Sequence, residues 1–173
     1  MMPRTVWFER KFTLDLPLSM YPNVLERVRG TPARLEDRLL ELPREVLVRR
    51  DGDAWSIQEQ AGHLLDLGTL DLGRLDDYEA ALEHLRPADL GNRKTHEANH
   101  NAAAIKHLLA AFRTERAEFL RRLDSYDPDF IARTALHPRL QLPMRVLDFV
   151  YFIAEHDDHH LARITNLIRA FVK

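Results

Sequence analysis

Four stretches of this chain repeat apolar residues at three- and four-residue spacing, and proline or glycine breaks the chain between them. Such a repeat lines one face of an α-helix, because about 3.6 residues complete a turn. The cleanest stripe is Ile105, Leu108, Leu109, Phe112, Phe119, Leu120 and Leu123. The last stretch carries Val146, Phe149, Val150, Ile153, Ile164, Leu167, Ile168 and Phe171 on one side. A one-sided helix must cover its apolar stripe with another element. Four long arms with short connections therefore predict an all-α fold, a four-helix bundle.

The punctuation sets the expected boundaries. The segment to Pro17 reads as irregular or extended. A short helix is expected from Met20 to Arg29, stopped by Gly30. Thr31 as N-cap and Pro32 in the first helical position then open a helix to about Leu42, which makes a broken first arm. Ser56 and Glu59 form a capping-box pattern for a helix running to about Leu85. Gly68 and Gly73 weaken that helix without ending it. The third helix is expected from near Glu97 to the residues before Pro128. Residues 133 to 143 read as a loop, and the last helix as Met144 to Phe171.

With 173 residues and no internal repeat or long linker, residues 1–173 suit one domain. Lys plus Arg number 25 against 27 Asp plus Glu, a formal charge of -2, which gives no electrostatic reason to expect nucleic acid as a partner. There are no cysteines, so disulfides, thiolate-bound zinc and a cysteine nucleophile are excluded. No segment offers the roughly 18 uncharged apolar residues of a membrane helix. The opening residues lack an apolar run of signal-peptide length, so a cytoplasmic protein is expected, with no membrane partner.

Nine histidines carry the chemistry worth weighing. His84 and His107 fall among polar helix positions and read as solvated. His137, in the proline-rich loop, could approach a bundle mouth but reads first as polar surface. His156 and His160 differ. At about 100° per residue they lie roughly 40° apart, one turn above the other, at the edge of the apolar stripe. Two imidazoles so placed can chelate one metal ion, whereas His159 points away towards solvent. A third ligand must come from another helix, and His63 is the best placed, on the inward side between Leu67 and Leu70. Three neutral imidazoles would leave positions open for water or substrate and suit Zn²⁺ or Ni²⁺.

A second pattern competes. His96-Glu97-Ala98-Asn99-His100 matches the HExxH spacing of zinc proteases, with Glu97 as the would-be base. Its neighbours are polar where a buried zinc helix would be apolar, and no third ligand is evident. It is not expected to bind metal.

Trp55-Ser56-Ile57-Gln58-Glu59 followed by His63-Leu64, and Ala154-Glu155-His156-Asp157-Asp158-His159-His160-Leu161-Ala162-Arg163-Ile164, together resemble the DinB-like (YfiT-like) family of metal-dependent enzymes. The resemblance covers the chain from about Val24 onward. It implies an up-down-down-up order of helices, a homodimer, and a metal on His63, His156 and His160. Relatives implied by it include low-molecular-weight-thiol S-transferases and a mycothiol-dependent maleylpyruvate isomerase. A thiol such as bacillithiol or mycothiol would then be activated on the metal and attack an electrophilic small molecule. A metal-activated-water hydrolase and a non-catalytic metal- or ligand-binding stress protein are the alternatives.

Three charges sit on apolar stripes: Asp71, Arg116 and Asp157. Unpaired buried charges cost several kcal/mol, so they are expected to neutralise one another or to line a polar pocket. Arg116 is the candidate for binding a carboxylate of the thiol cofactor or substrate, with a buried ion pair that sets helix register as the other reading.

Overall fold

The computed structural model describes residues 5–172. Residues 1–4, part of the segment expected to be irregular, and residue 173 lie outside it. From residue 5 the opening segment is extended, apart from 3-10 turns at Trp7–Glu9 and Leu18–Met20.

The broken first arm is α1 (Tyr21–Arg29) and α2 (Thr31–Leu39). Thr31 is not the cap. It is the first residue of α2, and its hydroxyl donates to the Asp157 carboxylate at 2.7 Å. After the one-turn α3 (Arg44–Leu47), α4 spans Ile57–Glu79. Its capping box forms as expected: Glu59 N–H donates to Ser56 Oγ at 3.1 Å and Ser56 N–H to Glu59 Oε2 at 2.8 Å.

α4 stops six residues earlier than expected. Ala81 adopts φ 53°, and the Asp77 carboxylate takes the backbone N–H and guanidinium of Arg86, folding the chain back. The freed segment makes one isolated parallel bridge, His84 beside Leu136, in which Leu85 N–H donates to Leu136 O at 3.0 Å. Its partner is β1 (Thr134–His137), which pairs antiparallel with β2 (Leu142–Arg145), Ala135 opposite Met144. The loop expected at 133 to 143 is thus mostly a hairpin, turned by Gln141 at φ 54°.

The third helix also starts later than expected. Asn92 and Asn99 take left-handed φ of 52° and 48°, which splits the run into α5 (Arg93–Glu97), a 3-10 turn at His100–Ala102, and α6 (Ile105–Asp124). A one-turn α7 (Pro128–Ile131) leads to the hairpin, and α8 runs Val146–Phe171.

Contacts give the helix directions. Along the first arm, Arg27 meets Glu155 and Arg38 meets Leu161 of α8, so those two run parallel. Gln60 of α4 meets His160, while Arg74 lies over Phe149, so α4 opposes α8. Glu115 packs at Gly68, and Arg122 reaches Leu72 O, so α4 and α6 run together. The bundle is up-down-down-up. The residues between α4 and α6 are the crossover that two parallel neighbours require.

Glu115 lays its carboxylate over Gly68, in the space a Cβ there would take, so a larger residue at this position would make that side chain move. Apolar side chains form two buried groups, one around Leu75, Phe119, Phe149 and the hairpin, the other around Leu35, Ile57, Phe112 and Ile164. Between them α4 and α8 separate around a cavity of about 600 Å³. No helix among the described residues is long and apolar enough to cross a membrane.

Candidate metal centre

The three expected ligands converge where α4 and α8 line the cavity. One ring nitrogen from each of His63, His156 and His160 lies within 4.8 Å of the others, the one such set of three among the described residues. The ring centroids of His63 stand 5.4 Å and 4.9 Å from those of His156 and His160. His156 Nε2 and His160 Nε2 are 3.2 Å apart. Two imidazole nitrogens sharing a tetrahedral Zn²⁺ at ordinary bond lengths would be roughly 3.3 Å apart.

Neighbouring groups fix the tautomers. The Gln60 Oε1 atom, only an acceptor, sits 2.7 Å from His160 Nδ1, so that nitrogen carries the proton and Nε2 keeps its lone pair for the centre. His63 Nδ1 is 3.1 Å from the Thr95 hydroxyl. Thr95 in turn hydrogen-bonds Asp66, whose carboxyl is held below its ordinary range against the opposing effect of burial by His100 and Thr95. The Thr95 oxygen therefore accepts from His63, again turning Nε2 inward. Partners of this kind on the outer nitrogen are what metal-binding imidazoles require. Burial pushes His63 down to about 4 and His156 well below its ordinary value, so both are neutral at physiological pH. Neutral imidazoles with inward lone pairs fit a divalent ion.

Two aromatic walls flank the triad. Trp55 lies 4.8 Å from His63, and Trp7 lies 4.7 Å from His156 between centroids. The Trp7 ring also reaches Phe152 and His159. His159, expected to face solvent, is instead half-buried against this wall. The opening segment is tied down by Arg10, which pairs with Glu155.

The family-model comparison matches the DinB superfamily over residues 27–164. This chain belongs to the DinB superfamily. Among solved structures it is similar to YfiT from Bacillus subtilis at 20% identity and a TM-score of 0.76, over 94% of this chain and 93% of that one. YfiT is described as a probable metal-dependent hydrolase with an unusual four-helix bundle topology. A comparison with curated proteins finds no match.

Other residues of this DinB-superfamily chain fall differently from their expectations. His96 is exposed, and His100 is buried with its Nε2 at 2.8 Å from Asp66 Oδ2. They do not share a helical face, because α5 ends at Glu97. His137 is not polar surface but is 2% exposed on the cavity lining. Arg116 is buried and ion-paired with Asp157, Nη1 to Oδ2 at 3.1 Å and Nη2 to Oδ1 at 3.2 Å, and it lines the same cavity. Asp71 lines it too, its carboxyl pushed up to about 7 by burial. Gln60, Thr95 and Trp7 were not assigned a role from the sequence, and Trp55 entered only as the first residue of a family motif. Gln60 had a signal, standing one turn before His63. Thr95 had none, since the break in α5 that brings it there is tertiary.

Proposed function

We propose that this DinB-superfamily protein is a metal-dependent enzyme in which His63, His156 and His160 hold one divalent ion, zinc or nickel, at the cavity wall. The 3.2 Å approach of two Nε2 atoms from consecutive turns of α8 supports this most directly. Such an ion supplies Lewis acidity, lowering the pKa of a thiol or water at its open position.

The flanking carboxylates favour a thiol over water. Glu59 is held by Arg50 and the Ser56 cap. Asp66 is held by His100, Asp157 by Arg116 and Thr31, and Glu155 and Asp158 by Arg27. None of these five is free to serve as a general base, and Asp71, on the same cavity wall, has Arg116 and Arg74 as its charged neighbours. A thiol starts near a pKa of about 8.5 and needs little help to ionise at neutral pH, whereas water starts near about 15.7. The reaction supported best is therefore S-transfer from a low-molecular-weight thiol, such as bacillithiol or mycothiol, to an electrophilic small molecule. Gln60 and Thr95 hold the ligand rings. Trp7, Trp55 and Phe152 keep bulk water from the nucleophile. Arg116 lines the same cavity and contacts an acidic group of the thiol or its acceptor. Metal-assisted hydrolysis is the second reading, favoured by what is said of YfiT.

Metal analysis of the purified protein should find about one zinc or nickel per chain, consistent with a three-imidazole site. The loaded protein should then consume a chloronitrobenzene only when a thiol is added. Hydrolysis of an activated ester without thiol, with no thiol transfer, would favour the second reading. Absence of metal uptake would sink both.

A further inference from the structure

The cavity continues along α8 beyond the triad to Phe152. This residue lies four positions before His156, or roughly 6 Å along the helix axis. Here the hairpin closes the space with His137 and Arg139, and α4 contributes Arg74. The Arg139 guanidinium stands over the rings of Phe8 and Phe152, at 5.3 and 5.8 Å from their centroids. Arg74 stands 5.9 Å from the Phe149 centroid.

Donors outnumber acceptors at this end. Leu140 N–H donates to His137 Nδ1 at 3.2 Å, so the neutral ring carries its proton on Nε2. That buried Nε2–H, and Nη2 of Arg139, find no hydrogen-bond partner among the described residues. Buried donors are rarely left unmet, because the loss of their hydration is then uncompensated. The carboxyls on the lining do not supply them. Asp157 is taken by Arg116 and Thr31. Asp71, pushed up to about 7 by burial, is only half ionised at neutral pH. The positive charges of Arg74 and Arg139 both bear on His137, burial being the larger influence on that ring.

We infer that His137, Arg139 and Arg74 form an anion subsite that takes the carboxylate of an otherwise apolar small molecule whose other end reaches the histidine triad. This rests on the same cavity as the metal reading and adds the substrate class to it. A carboxylate offers two oxygens, enough for the His137 N–H and the Arg139 guanidinium together. The aromatic walls suit an apolar chain between the two ends.

The test uses the full chain stripped of metal, so that no ion can ligate the carboxylate. Both tryptophans of the chain line the cavity, and their fluorescence reports its occupancy. Hexanoate should bind at least about tenfold more tightly than hexanamide, the difference expected of charge-assisted hydrogen bonds. Arg139→Met, which keeps the packing on Phe8, should lose about tenfold for hexanoate and nothing for hexanamide. Arg139→Lys should recover part of the loss.

In zinc-loaded protein, 6-mercaptohexanoate binding more tightly than hexanoate or hexanethiol would place the carboxylate on the thiol. Independent binding of hexanoate beside hexanethiol would place it on the electrophile. Either result supports the subsite. Equal affinity for hexanoate and hexanamide overturns it, even if Arg139→Met fails to fold, because that comparison uses the unaltered protein. Hexanoate binding seen only with zinc present also overturns it. Zinc titration is read separately, so loss of the metal reading and loss of the anion subsite are distinguishable.

Discussion

His156 with His160, and His96 with His100, have the same four-residue spacing, and the structure treats them in opposite ways. The first pair lies inside the unbroken α8, where one turn brings the two Nε2 atoms to 3.2 Å. The second pair spans the end of α5 and a left-handed Asn99, so His96 turns to solvent and His100 turns inward. Spacing becomes a chelate only where the helix between the residues is continuous. The second pair still bears on the first. His100 holds Asp66, Asp66 takes the Thr95 hydroxyl, and Thr95 orients His63. The residues of the zinc-protease pattern do not converge with each other, and His100 instead supports the candidate triad from outside.

The largest expected effect divides the pairs directly. His156→Ala or His160→Ala should abolish stoichiometric zinc uptake, a loss well beyond the roughly 100-fold typical of outer partners. His96→Ala should leave uptake unchanged. Titration calorimetry of the three proteins decides it, and zinc lost from His96→Ala would break the contrast between the two pairs.

Next in size is the ion pair that anchors α8 beside its ligands. Arg116→Met leaves the Asp157 carboxylate buried and unpaired, and should cost about 3–5 kcal/mol of stability by urea unfolding. The same variant separates its two roles. Lost thiol turnover with stability kept would point to ligand contact, while a large fall in stability with metal content unaltered would point to helix register.

Smaller again are the outer partners. Gln60→Leu and Thr95→Val should each weaken zinc binding about 10–100-fold while the protein stays folded. An unchanged affinity in Thr95→Val would show that the chain from His100 to His63 is structural only.

The last effect, spread over several pH units, concerns His137, a histidine outside both pairs. Burial pushes it down to about 3, so the folded form stays neutral while the unfolded chain takes up a proton below about 6.5. Between those values the unfolded state binds more protons, so stability falls as pH falls. The slope is at most about 1.4 kcal/mol per pH unit. Unfolding of metal-free protein between pH 7 and 4 should show this contribution, and His137→Gln should flatten it. An unchanged slope in His137→Gln would mean that the ring is not neutral and buried in solution.

The sequence alone determined what depends on helical periodicity. The apolar stripes require four arms, the Ser56 and Glu59 box starts α4, and the spacing of His156 and His160 on a long uninterrupted stripe makes a one-turn pair. These features are local, so they are legible without knowing which helix packs where. Breaks that arise from packing were not legible. Ala81, Asn92, Asn99 and Gln141 take positive φ without being glycine. Asp77 with Arg86 and His100 with Asp66 flank Ala81 and Asn99, while Asn92 and Gln141 close local turns on Asp89 O and His137 O. The third ligand is an intermediate case. Periodicity placed His63 on an inward face, but its depth opposite His160 follows from the antiparallel packing of α4 on α8. The oxygens that set the ring tautomers were decided by tertiary structure alone, because Thr95 reaches His63 only after the crossover between α4 and α6 folds back over the bundle.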